Sequence, residues 1–229
     1  MAKVKFSALI SEMRNKLNGS VFARNRGGNY LRTKVTPINP KSLAQVLVRA
    51  RLAGFAQAWR SLSEAQRGAW NAAVSQWTTT DVFGDVQTPT GNTLFSRLNL
   101  NIVNAGGSAI QSPPSPQGAE ALTNLTLAAD SAGPGVFEVG YAPTDVPTGH
   151  ALVIEATPSL SPGLYNVNNR FRQIAVLDAG TSSEEDIIAQ YQAKFGSLIQ
   201  GQKVHVRAKL VRLATGEVSQ SLTATSIVA

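Results

Sequence analysis

The sequence predicts a two-domain α+β protein. A β-hairpin arm and a small helical unit span residues 1–104, a Gly/Pro linker follows at 105–118, and an antiparallel β-sandwich with one inserted helix fills 119–229. Three observations predict it. Apolar residues recur at helical spacing in the first half and alternate with period two in the second. Between the halves lie Gly106-Gly107 and Ser112-Pro113-Pro114-Ser115-Pro116, which follow neither period. Charge changes at the same place: residues 1–112 hold 14 Lys/Arg and 4 Asp/Glu, whereas residues 113–229 hold 7 and 10. A strongly basic half joined to a mildly acidic one points to two roles, the basic half suiting a polyanion or an acidic protein surface.

Composition narrows the chemistry. At 229 residues and 43% hydrophobic, the chain can build a packed core. Charged residues are 15%, below the usual quarter or so, which is not the charge-dense signature of a disordered tail. No apolar run approaches the ~20 residues that span a bilayer. The opening MAKVKFSALISEMRNK has no long apolar stretch and no small-residue cleavage site, so no signal peptide is expected. The absence of cysteine removes disulfides, zinc–thiolate sites, iron–sulfur clusters and thiol catalysis.

Residues 19–36, GSVFARNRGGNYLRTKVT, place two β-favouring runs around Gly27-Gly28, a hairpin signal. A two-residue Gly-Gly loop would scatter the cations over both faces. A three-residue loop, Gly27-Gly28-Asn29, would gather Phe22, Arg24, Arg26, Tyr30, Arg32 and Lys34 on one face and Val21, Ala23, Leu31, Thr33 and Val35 on the other. That segregation makes it the preferred register. It sets like charges opposite each other, which is unfavourable unless an anion lies between them. These cations fit carboxylates or carbonyls of neighbouring subunits, or else phosphate. Pro37 and Pro40 then end the second strand.

Ser42 is a good N-cap, followed by a stripe of Leu43, Val46, Leu47, Ala50 and Gly54 extending to Ala58, with Arg49, Arg51 and Arg60 around the rest. Ser63-Glu64-Ala65-Gln66 is a capping box for a second helix carrying Ala69, Trp70, Ala73, Val74 and Trp77. The short connection at residues 60–62 predicts antiparallel neighbours. Trp59, Trp70 and Trp77, at helical spacing, read as core rather than a ligand cage. Asn92 is the expected cap of a third helix with Leu94, Leu98 and Ile102 at four-residue spacing. The segment Asp81-Val82-Phe83-Gly84-Asp85 before it reads as a turn whose spacing matches no cation-binding loop.

Strand-like alternation appears at 122–128, 135–142, 150–157, 170–178, 203–213 and 217–228. Phe137, Val139 and Tyr141 share one face; Val204, Val206, Ala208 and Leu210 share another, opposite His205, Arg207 and Lys209. Ser183 is the expected cap of the inserted helix, with Glu184, Glu185 and Asp186 in its positive first turn. Successive helical positions fan out by about 100°, so these three carboxylates cannot converge on one metal ion. Six or seven strands in this length suggest an immunoglobulin- or fibronectin-like sandwich, without the Cys–Trp–Cys signature of a true immunoglobulin domain.

Catalytic constellations are weak. His150 and His205 lie in no motif with a nucleophile, and no nucleophile elbow, His-Glu-x-x-His, P-loop or dinucleotide fingerprint is present. The expectation is a non-enzymatic protein with no cofactor and no metal, whose partner- or anion-binding residues are Arg24, Arg26, Tyr30, Arg32, Lys34, Arg49 and Arg51.

The segment from Gly19 to Trp70 resembles the N-terminal region of uncharacterised proteins found in bacteriophage and prophage structural gene sets, with relatives in Bacteroidota. The residues that carry the resemblance are Gly19, Phe22, Arg24, Arg26, then Arg32, Lys34, Val35, Pro37, Asn39 and Pro40, then Gln45, and finally Trp59, Arg60, Leu62, Gln66, Arg67 and Trp70. A Pro-rich linker and an immunoglobulin-like C-terminal module are also similar to that architecture. The resemblance covers the first 100 residues or so and implies a virion component in a multi-copy assembly. It would be made in the bacterial host cytoplasm and anchored to capsid, connector or tail protein, with no membrane. It supplies no catalytic residues. The alternative is a nucleic-acid-binding accessory protein that contacts packaged DNA through the basic hairpin and helices.

Overall fold

The computed structural model describes every residue except 1, 8, 11 and 37, so the expected role of Pro37 in ending the second hairpin strand lies outside the described residues. The chain is a mixed α+β protein; among the described residues it has four helices and several sheets, whose strand pairs are antiparallel.

The N-terminal segment builds more than a hairpin. Strands β1 (Ala2–Lys3), β2 (Asn15–Leu17), β3 (Ser20–Asn25) and β4 (Gly28–Thr33) form one sheet in the order β1-β4-β3-β2. The expected register is overturned. Val21 faces Arg32, Ala23 faces Tyr30 and Asn25 faces Gly28, which leaves a loop of Arg26 and Gly27. The turn's own chemistry sets this. The Asn25 side chain accepts the Gly27 N–H at 2.9 Å, and Gly28 takes φ 99°, a conformation that costs a residue with a Cβ. Opposed arginines are thereby avoided, and β1 closes the open edge of β4.

Helix α1 (Leu43–Ser61) is capped by Ser42, and α2 (Glu64–Ala73) by the expected box, with Ser63 and Gln66 exchanging bonds at 3.2 and 2.9 Å. A 3-10 turn, Val74–Trp77, continues α2. Two short strands, β5 (Thr79–Thr80) and β6 (Val86–Gln87), bracket the 81–85 turn. Helix α3 (Gly91–Asn104) starts one residue before Asn92, and Thr90 rather than Asn92 caps it, accepting from the Thr93 N–H at 3.2 Å. Both α1 and α2 pack on α3, where antiparallel pairing of α1 with α2 was expected. Phe95 of α3 is the hub: its ring lies 5.3 Å from Trp70, 5.7 Å from Trp59 and 6.2 Å from Phe55. Trp70 and Trp77 are buried core, as the helical spacing predicts.

The apolar stripe expected to matter in α1 is not its packed face. Leu43, Val46 and Leu47 stay exposed, while Phe55, Ala58, Trp59 and the following Leu62 enter the core. The packed face is rotated from the expected one by about 100°, one residue of helix.

In the second half, β7 (Asn124–Asp130), β8 (Val136–Ala142), β9 (His150–Ala156), β10 (Arg172–Leu177), β11 (Glu185–Asp186), β12 (Lys203–Arg212) and β13 (Leu222–Ile227) form two sheets, ordered β10-β9-β12-β13 and β11-β8-β7. Helix α4 (Ile188–Phe195) lies between β11 and β12 in sequence. The core holds Phe137, Val139 and Tyr141 of β8, Leu152 and Ile154 of β9, and the alternating set Val204, Val206, Ala208 and Leu210 of β12. Tyr191 of α4 stacks on Phe137 at 4.6 Å. The acidic triplet does not form the first turn of that helix. Glu185 and Asp186 pair with β8, and Asp186 accepts the Phe137 and Ile188 N–H groups at 3.0 Å each. Ser183, the expected cap, instead accepts the Tyr141 N–H at 2.8 Å.

The halves meet along α3. Ala105 packs on the outer face of β9 and β12 with Ala151, Val153 and Val211. The Gly/Pro segment is fastened on both sides. Buried Asn99 accepts the Ile110 N–H at 2.6 Å and donates to the Ile110 carbonyl at 3.2 Å. Glu217 accepts the N–H groups of Gln117 and Gly118 at 3.0 Å each.

Candidate interaction surface

The cations singled out in the sequence fall into two places. On the N-terminal sheet the observed register divides them. Arg32 and Tyr30 share a face with Val21 and with Lys16 of β2, while Arg24 lies on the opposite face and Arg26 sits in the loop. The single basic ribbon is therefore not formed. What forms instead is a smaller cleft lined by Lys16, Arg32 and Lys34 beside Val21, with no carboxylate among its described lining residues. Arg24 has one acidic neighbour, Glu12, at 3.5 Å, and Glu12 also pairs with Arg14 at 2.8 Å. Hydrogen bonding from Arg14 first, then Arg24, holds the Glu12 carboxyl below its ordinary value against the opposing effect of desolvation. Tyr30 is half-buried, opposite Lys3 of β1 and Ala23 of β3.

The sheet is held to the helical unit by the 81–85 turn, whose role the sequence did not disclose. Lys3 reaches the Asp81 carboxylate at 2.5 Å and Lys5 reaches Asp85 at 3.0 Å. Asp81 also accepts the N–H groups of Phe83 and Asp85, at 2.8 and 3.0 Å. The Lys3 bond, with these two amides, holds the Asp81 carboxyl down at about 2, against the pull of desolvation. Its side chain is 7% exposed. Two ion pairs thus tie the arm to its own helical unit. The signal was in the sequence as two carboxylates in a turn and two lysines in the arm, but 78 and 80 residues separate the partners.

The second place is α1. Arg51 donates to the Asn104 side chain, and Arg49 lies with Arg172 of β10 beside a cleft lined by Ala44 and Val48. Among the described residues Arg26, Arg32, Lys34, Arg49 and Arg51 form no ion pair. Every residue of α1 is exposed or half-buried, and Leu43, Val46, Leu47, Val48 and Leu52 are 90, 50, 52, 54 and 46% exposed.

The two histidines cannot share a site. His150 lies opposite Arg212, seven strand residues from His205, which is roughly 23 Å at ~3.3 Å per residue. His150 is buried and its Nε2 accepts the Glu120 N–H at 3.4 Å. His205 lies 2.8 Å from the Thr225 hydroxyl, and burial, helped by Lys203, holds its ring below the ordinary histidine value. Among the described residues no group of three or more His, Asp or Glu is placed to hold a metal ion, and no helix is long and apolar enough to cross a membrane.

Compared with protein-family models, with characterised proteins and with solved structures, the chain matches none.

Proposed function

We propose that this protein is a non-enzymatic structural component of a bacteriophage particle. Its basic N-terminal half anchors it to other virion proteins, and its C-terminal half is an immunoglobulin-like β-sandwich forming a second domain. The observation that carries the reading is an unbalanced surface. Residues 13–63 contain ten Lys/Arg and no Asp/Glu, and they present both unpaired cations and exposed apolar helix. Large exposed apolar patches mark interaction sites, and cations without internal partners favour an acidic surface outside the chain. The resemblance of residues 19–70 to phage and prophage structural proteins supports the same conclusion. Tyr30, Arg32 and Lys34 belong to one contact of this anchor, Arg24 and Arg26 to a second on the opposite face and loop of the same sheet, and Arg49 and Arg51 to a third.

The test replaces Arg24, Arg26 and Arg32 together with Ser and follows incorporation into particles treated with nuclease. Incorporation should fall while the thermal transition of the strand-rich half is unchanged. Normal incorporation at physiological salt would defeat the anchor.

One observation favours a second reading, contact with packaged DNA. The cleft of Lys16, Arg32 and Lys34 has the charge for a phosphate. A complex of that kind would lose affinity with a log–log salt slope of about −0.9 per neutralised phosphate. A shallow slope, with retention in nuclease-treated particles, separates protein anchoring from it.

A further inference from the structure

The packed stripe of α1 does not stop where the core stops. Phe55, Ala58, Trp59 and Leu62 join the core centred on α3. The same stripe continues toward the helix N-terminus at Ala44, Val48 and Arg51, at the i, i+4, i+7 spacing of one helix face, with Leu47 at its border. There it faces β10 without closing on it. One cleft of about 320 Å³ lies between Leu47 and Arg51 on the helix and Ile174 and Val176 on the strand, with Lys194 at its rim. A second lies beside Val48 and Arg49, with Arg172 across it. β10 is an edge strand, paired with β9 alone among the described strands. The two neighbouring clefts along this part of α1 each hold apolar residues and two cations, Arg51 and Lys194 in one and Arg49 and Arg172 in the other, and among the described residues neither has a carboxylate in its lining.

We infer that this surface of α1 and β10, with its two clefts as one groove, receives an amphipathic helix of a partner protein, with leucine-like residues on one face and carboxylates beside them. The inference rests on the anchoring reading and names the chemistry of its partner. Exposed apolar positions at helical spacing are the mark of helix-in-groove recognition. Charge decides which helix. A second copy of this chain would bring Arg49, Arg51 and Arg60 and no acid from α1, so every flanking pair would be repulsive or neutral. An acidic helix neutralises Arg49, Arg51, Arg172 and Lys194 and covers Leu47 and Val48. Duplex DNA would satisfy the cations but leave the leucine and valine in water.

The probe is a synthetic helical peptide with Leu at a and d and Glu at e and g of each heptad, labelled with a fluorophore and titrated with the full-length protein at low salt. The control peptide has Lys at e and g. The Glu peptide should bind, and the Lys peptide, whose leucines are the same, should bind at least about tenfold more weakly because its flanking charges are repelled. The variant Leu47→Asp/Val48→Asp should lose the Glu peptide by a similar factor while keeping its melting temperature, since neither side chain is in the core. No binding, equal binding of both peptides, or equal binding by the variant would overturn the proposal. So would a concentration-dependent dimer in sedimentation that the variant abolishes, or displacement of the peptide by duplex DNA at stoichiometric amounts. If this variant enters particles normally while the triple Ser variant does not, the groove proposal fails and the anchor stands.

Discussion

Asp81 shows how one side chain fixes the position of a whole segment. It collects the Lys3 ammonium and two amides of its own turn, and so joins the arm to the helical unit. Its folded-state pKa, about 2, lies below the ordinary aspartate value. A depressed carboxylate contributes stability that is fully present above its unfolded pKa of about 3.9 and is lost as pH falls through the folded value. The clasp should therefore hold through neutral and mildly acidic pH and open between about pH 4 and pH 2. The amide resonances of Phe83 and Asp85 report this directly. They should titrate with a midpoint near 2, and Asp81→Asn should remove the transition and speed tryptic cleavage in residues 1–35 at neutral pH. A midpoint at the ordinary aspartate value would mean that Lys3 does not hold the group.

At the scale of elements, α1, α2 and α3 obey the same rules of capping and spacing but end in different surroundings. Trp70 of α2 is fully buried against Phe95, and its indole N–H donates to the Gln111 carbonyl at 2.7 Å. Trp70→Ala should cost about 3–5 kcal/mol, measured by denaturant unfolding, because the cavity adds to the lost transfer energy. A loss below about 1 kcal/mol would contradict a packed site. The first three turns of α1 are the opposite case. They carry apolar residues that the core does not reach, so substitutions there are expected to act on association rather than on stability.

For the whole molecule, the seam between halves turns on Gly216. Its φ is +75°, and a Cβ there would lie 2.5 Å from the Leu98 carbonyl oxygen and 2.9 Å from the Leu98 Cα. Its carbonyl accepts from the Asn101 side chain at 2.9 Å. Gly216→Ala must push α3 off the sheet while adopting a strained backbone, a destabilisation on the order of 1–3 kcal/mol or more. All three tryptophans lie at residues 59–77, so indole fluorescence reports the helical half alone. In the parent chain, fluorescence and far-ultraviolet melting should coincide; in Gly216→Ala the fluorescence transition should move to lower temperature and separate from the strand signal. Coincident and unshifted transitions in the variant would show that the seam does not couple the halves.

By itself the sequence determined what depends on neighbours a few residues away. The Ser63–Gln66 box, the helical spacing of Trp70 and Trp77, the alternation of Val204, Val206, Ala208 and Leu210, and the absence of acid around the basic segment are all local. Local hydrogen bonding and periodicity are enough to specify them. Only tertiary structure decided the rest, because the deciding partner is distant or the choice is between near-equal local options. The hairpin register hung on the Asn25 side chain taking the Gly27 amide and on β1 adding to β4, not on segregation of charge from apolar surface. The face that α1 buries was set by where Phe95 stands on α3, which rotated it by one residue from its most apolar stripe. Glu185 and Asp186 became a strand because β8 offered an open edge, and pairing with that edge outweighed their favourable place at a helix start. The groove beside β10 exists for the same reason: the helix is longer than the core beneath it, and no local signal measures the length of a core.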